Sequence, residues 1–207
     1  MTERPMEIID HKTGVPIEHY SSAFAAADPE MLSRFSGVPY EDGAFQMTLM
    51  GRDLELRWPD MTAVWKDGGG EVRPNIRILC ARRVLEGRSV PFGGKMLSYV
   101  EMPWGNVYQK QFDGRCVKRL AFGFGNTPER FSEACRTLGG IPANGGDASY
   151  DILFLDGLIV RLIIWEGDDE FPPSAQFLFS DNFPAAFTAE DIAVCGDIIL
   201  DAMKGRW

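Results

Sequence analysis

The sequence predicts an α+β fold, a single domain over residues 1–207 in which a largely antiparallel sheet built from hairpins packs against several helices. Three observations predict it. Two pairs of apolar runs, at 45–58 and 150–165, flank short turns, and several segments of helical periodicity begin and end on capping residues. Strands and helices do not alternate in the regular order that a parallel βαβ sheet requires. With 45% hydrophobic and 12% aromatic residues, 207 residues suffice to bury one sizeable core.

Residues 1–15 read as an extended N-terminal arm. Helical spacing of Ile17, Tyr20 and Phe24 predicts a helix over 16–27; Asp28 and Pro29 then form an N-cap and N1 pair opening a short second helix, which Gly37 ends. Phe45, Met47 and Leu49 alternate with Gln46 and Thr48, and Leu54, Leu56 and Trp58 alternate with Asp53, Glu55 and Arg57. Around the two-residue linker Gly51-Arg52, this pattern predicts a hairpin apolar on one face. Residues 61–65 add a strand. Gly68-Gly69-Gly70 reads as a loop tip, since no Gly-Lys-Ser/Thr follows to make a phosphate cradle.

A helix over 74–86 buries Ile76, Leu79, Cys80 and Val84 and leaves Arg73, Arg77 and the Arg82-Arg83 pair toward water or a neighbour. Residues 87–112, with Pro91, Gly93-Gly94, Pro103 and Gly105, read as a long surface loop. Its aromatics Phe92, Tyr99, Trp104 and Tyr108 either pin it to the core or line a pocket. Thr127-Pro128 opens a helix through Phe131, Ala134, Cys135 and Leu138, and Gly139-Gly140 closes it. Runs at 150–155 and 158–165 flank Asp156-Gly157, the type I′ hairpin signature, and 175–180 supplies a further strand. Thr188 and Asp191 open the last helix as a capping box, with Ile192, Cys195, Ile199 and Met203 as its buried stripe.

Charge narrows the function classes. The net charge is −9, yet residues 71–120 carry 10 basic and 4 acidic groups, against 6 and 12 before them and 5 and 14 after. An acidic chain does not suit general nucleic-acid binding, and the basic stretch suits a small anion or an acidic partner. The longest apolar run, 158–165, is broken by Arg161 and falls far short of the roughly 20 residues of a membrane-spanning helix. The first seven residues lack the basic and apolar stretches of a secretory signal, so the expected location is the cytoplasm. Cys80, Cys116, Cys135 and Cys195 stand far apart without a C-x-x-C or a nearby His, so no zinc or iron–sulfur motif is written and buried thiols are expected. His11 and His19 have no accompanying nucleophile motif, which argues against a hydrolase triad.

The candidate chemistry lies in the last third. Trp165 leads into an acidic turn carrying Glu166, Asp168, Asp169 and Glu170, and Asp181 stands beyond the next strand. Oxygen-rich turns hold Mg²⁺ or Ca²⁺, which makes Glu166, Asp168 and Glu170 candidate metal ligands; their spacing fits no Ca²⁺-loop motif, and a solvated acidic turn is the simpler reading. Arg161 lies in a run that looks buried on both faces, where a guanidinium needs a carboxylate or a bound anion. An unbroken hairpin register sets Ile152 opposite it, so its partner is expected from Glu166, Glu170 or Asp181. Gly123-Phe124-Gly125 precedes a helix start but lacks the third glycine of a dinucleotide fingerprint, because Pro128 stands there.

Two functional readings follow. One is a non-catalytic binding or accessory module that holds a small molecule or protein partner in a cleft near Arg161, Trp165 and the acidic turn. The other is a metal-assisted enzyme acting on an anionic small molecule, with Glu166, Asp168, Glu170 and Asp181 as ligands or bases and Arg161 as the clamp. Convergent carboxylates would favour the enzyme.

The segments Gly146-Asp147-Ala148-Ser149-Tyr150, Trp165-Glu166-Gly167-Asp168, Glu170-Phe171-Pro172-Pro173-Ser174-Ala175-Gln176, Phe187 through Asp191, and Gly196-Asp197 resemble the prokaryotic domain-of-unknown-function family 3786. The resemblance covers residues 127–203. It implies a cytoplasmic domain of a family found largely in anaerobic bacteria, and it supplies no catalytic residue. Relatives with a cysteine-rich iron–sulfur segment imply redox surroundings, but this chain has no such segment.

Overall fold

The computed structural model describes residues 14–207. All but the last two residues of the expected arm at 1–15, and His11 with it, lie outside the described residues. Helices α1 (Gly14–Ala26) and α2 (Pro29–Ser36) lead the chain. The Asp28 carboxylate caps α2 by accepting the N–H groups of Glu30 and Met31 at 2.9 and 3.3 Å, and Gly37 closes it at φ 73°, a conformation that suits glycine. Strands β1 (Tyr40–Glu41), β2 (Ala44–Leu49), β3 (Arg52–Arg57) and β4 (Ala63–Trp65) follow, then α3 (Pro74–Leu85). The β2–β3 turn is Met50-Gly51, at φ 46° and 79°, one residue earlier than the expected Gly51-Arg52. A type I′ turn needs positive φ at both central residues, and only this placement puts Gly51 in one of them while keeping Leu49 opposite Arg52.

Residues 87–112 are more ordered than a long loop. They contain β5 (Met96–Ser98), a 3₁₀ turn (Tyr99–Glu101) and α4 (Gly105–Phe112), which runs through a π-helical turn (Asp113–Val117) into α5 (Lys118–Phe124). Tyr99 pins this stretch: its ring stacks on Phe112 at 3.9 Å and its hydroxyl donates to the Ala189 carbonyl at 2.8 Å. Trp104, in contrast, is 75% exposed. The chain continues through α6 (Pro128–Thr137), β6 (Ile141–Pro142), β7 (Ala148–Leu155), β8 (Leu158–Trp165), β9 (Ser174–Ser180), α7 (Phe183–Ala186) and α8 (Ala189–Ala202). The Thr188–Asp191 capping box opens α8 as expected.

Among the described residues, nine strands form one antiparallel sheet in the order β4-β3-β2-β7-β8-β9-β5, with β1 beside β2 and β6 beside β7. One face buries Phe45, Leu56, Tyr150, Ile152, Leu162 and Phe179 beneath the helices. The other carries Thr48, Asp53, Glu55, Asp151, Leu153 and Arg161, all exposed or half-buried.

Two hairpins meet at a narrow seam, where Leu49 opposite Leu155 is the one registered pair between β2 and β7. Beside it, the Met50 N–H donates to the Phe154 carbonyl at 3.0 Å and the Thr48 N–H to Asp156 Oδ1 at 3.2 Å. Phe154 is the extra residue of a β-bulge in β7: Leu155 pairs with Leu158 across the turn, but Leu153 then pairs with Ile159. Every later pair is thereby shifted by one, and Arg161 faces Asp151, not Ile152.

Candidate functional site

The structure does not gather the expected site residues into one place. Arg161 pairs with Asp151, Nε to Oδ1 at 2.6 Å and Nη2 to Oδ2 at 2.8 Å, on the open face of the sheet. This corrects the expectation of a guanidinium buried on both faces and paired with Glu166, Glu170 or Asp181; the bulge supplies Asp151 instead. The Asp181 carboxylate accepts the N–H groups of Gly93 and Lys95 at 2.8 and 3.2 Å, which ties the chain after α3 to the end of β9. Trp165 is 37% exposed at the end of β8.

In the acidic turn, Asp168 Oδ1 accepts the N–H groups of Glu170 and Phe171 at 2.9 and 2.7 Å, and these bonds hold its carboxyl below the ordinary range. The Glu166 N–H donates to Asp147 Oδ2 at 2.7 Å, while the side chains of Glu166 and Glu170 are exposed. Among the described residues, no three His, Cys, Asp or Glu side chains stand close enough together to hold a metal ion. The condition that would favour a metal-assisted enzyme at this turn is therefore not met by its geometry.

A different set of residues converges. A cleft of about 380 Å³ lies between the chain following α3 and the β7–β8 turn, and Arg83, Arg88, Val90, Phe92, Leu153 and Asp156 line it. Arg83 is only 3% exposed, yet among the described residues its Nε and Nη1 are buried without a hydrogen-bond partner and no carboxylate lies within ion-pair distance of it. Burial lowers the pKa of its guanidinium, an effect that the charge of Asp156 across the cleft opposes. The carboxyl of Asp156 is pushed up by the surrounding protein, although the residue as a whole is exposed at the turn.

The neighbouring Arg82 shows what this fold does with an ordinary arginine. It pairs with Asp191 at 2.8 Å and with Glu86 at 3.1 Å, and it lies over the Tyr20 ring. Arg83 has none of these.

The walls of the cleft are built firmly. Asn182 Nδ2 donates to the carbonyls of Val90 and Gly157, both at 3.1 Å, and so ties one wall to the other. Asn182 Oδ1 accepts from Ser180 Oγ at 2.6 Å, which in turn accepts the Ile159 N–H at 3.0 Å. Gly87 makes room for the guanidinium: a Cβ there would stand 2.8 Å from Arg83 Nη1 and 2.6 Å from the Arg83 carbonyl oxygen. Sequence reasoning missed this site, though its signal was present. Position 83 is seven residues after Ile76, four after Leu79 and three after Cys80, so helical spacing puts Arg83 on the buried stripe itself.

Neither the curated proteins nor the solved structures contain a match to this chain. The family model described as "Domain of unknown function (DUF3786)" matches residues 28–202, a span that holds the sheet, the cleft and every helix from α2 to α8, and the chain belongs to that family.

Proposed function

We propose that this chain is a binding module that takes a small anion into the cleft at Arg83. The observation that carries the reading is the buried guanidinium with two unpartnered nitrogens in a cleft wall. Burying a charge without a partner costs several kcal/mol, and an apolar side chain of similar volume would remove that cost. A bound anion offsets it. Arg88 adds a second positive charge and Asp156 a single negative one, so the cleft is left with an excess of one positive charge.

The test is thermal unfolding of wild type and Arg83→Met with and without acetate, phosphate and sulfate. A ligand bound only by the folded state raises Tm by mass action. The expected result is an anion-dependent rise in wild type, and an Arg83→Met protein whose Tm in buffer is equal or higher but does not respond. Identical responses in the two proteins, or none in wild type, would overturn the reading.

A further inference from the structure

We infer that the ligand of this cleft is a monocarboxylate with an apolar body, its carboxylate beside Arg83 and its body against Val90, Phe92, Leu153 and Ile159. The inference rests on the anion-binding reading above and specifies the ligand. Two observations carry it beyond a simple anion.

The first is the lining. Val90 is 45% exposed, Phe92 40% and Leu153 50%, and all three border the same cleft as Arg83. Single exposed apolar side chains are normal on a protein surface, but several around one concave site with a buried cation at its wall form an amphiphilic binding surface. Leu153 and Ile159 stand directly opposite each other in the β7–β8 ladder, so their side chains make one continuous apolar strip. The Asn182 bonds to Val90 and Gly157 keep that strip and the loop wall at a fixed separation. A ligand body thus meets a preformed surface, which limits the ordering entropy lost on binding.

The second is charge. Arg83 and Arg88 against Asp156 match one negative charge, and a dianionic phosphate would bring its second charge toward the Asp156 carboxylate. A carboxylate balances the cleft. The volume of about 380 Å³ lies near the lower end of the range for small-molecule clefts, which suits a short aliphatic or aromatic acid.

The experiment is a chemical-shift titration of the full ¹⁵N-labelled chain with acetate, butanoate, hexanoate, benzoate, phosphate and hexanol, on wild type, Arg83→Met and Leu153→Ser. The expected affinity rises roughly threefold per added methylene from acetate to hexanoate, as partial burial of each methylene implies. Hexanol does not bind, Arg83→Met loses the carboxylate shifts, and Leu153→Ser flattens the dependence on chain length. Phosphate or acetate binding through Arg83 as tightly as hexanoate overturns this inference and leaves the anion site standing. No Arg83-dependent shift with any anion overturns both.

Discussion

Asp151 stands directly across the β7–β8 ladder from Arg161, and their side chains, 30% and 26% exposed respectively, form a two-pronged ion pair on the open face of the sheet. Solvent at that exposure screens the charges, so the pair stabilises the fold modestly. Arg161→Met is expected to cost less than about 1 kcal/mol in urea unfolding. A loss of several kcal/mol would mean that the pair supports a buried network.

That pair also shows where reading the sequence stops. Asp156-Gly157 marks the turn plainly, because type I′ geometry needs residues tolerant of positive φ, and the two have φ 27° and 83°. Nothing in Leu153-Phe154-Leu155 marks the bulge. Its cause is tertiary: the N–H of Met50, on the other hairpin, takes the Phe154 carbonyl. The helices that open at Asp28, Thr127 and Thr188 were legible for the opposite reason, since their signals, side-chain caps at Asp28 and Thr188 and a first-turn proline at Pro29 and Pro128, are local. Segments 96–101 and 105–124 were not, because β5 exists only through its pairing with β9, and α4 and α5 hold their place by tertiary burial of Phe112, Cys116 and Leu120. The site lay hidden in a residue whose charge suggested water while its spacing in α3 demanded burial.

The acidic turn yields a pH expectation. Backbone N–H groups of Phe171 and Glu170 hold the Asp168 carboxyl below its ordinary value, so its ionised form binds the fold better than the unfolded chain. Stability from this group is fully present above the unfolded pKa and disappears as pH falls through the lower folded value. Asp168→Ala is therefore expected to lower the unfolding midpoint at neutral pH without any added metal, with a gap that narrows below about pH 4. Urea midpoints at the two pH values check it. A variant indistinguishable from wild type at neutral pH would show that the turn does not depend on these bonds.

The four cysteines are buried free thiols, and burial pushes Cys80, Cys116 and Cys135 up to about 12 and Cys195 well above its ordinary value. Both the missing thiolate and the missing access protect them. The native protein is expected to leave Ellman's reagent uncoloured at mild alkaline pH, and to release four equivalents once denatured. The sign of the pH effect is opposite to that of Asp168. The unfolded thiols ionise first, so this contribution to stability is present below their unfolded pKa and lost as pH rises past roughly 9. One thiol reacting rapidly in the native state would place a local opening at that helix or strand.

Asp191 carries two duties at once, and its removal should be correspondingly costly. It is the N3 residue of the α8 capping box, where Oδ2 accepts the N–H and hydroxyl of Thr188 at 3.1 and 2.7 Å, and its Oδ1 holds Arg82 of α3 at 2.8 Å. With its side chain only 6% exposed, water replaces little of what is lost. Asp191→Ala is expected to cost about 3 kcal/mol, because it uncaps a helix and leaves the Arg82 guanidinium without its buried partner. Asp191→Asn keeps an acceptor for Thr188 and should cost less. Glu86, the other carboxylate on Arg82, is 48% exposed, and Glu86→Ala should cost under about 1 kcal/mol. Urea unfolding of the three variants checks the order. Equal costs for Asp191→Ala and Glu86→Ala would mean that the bond between α3 and α8 is screened as thoroughly as a surface pair, and that the packing of Ile192, Cys195 and Ile199 alone holds the last helix in place.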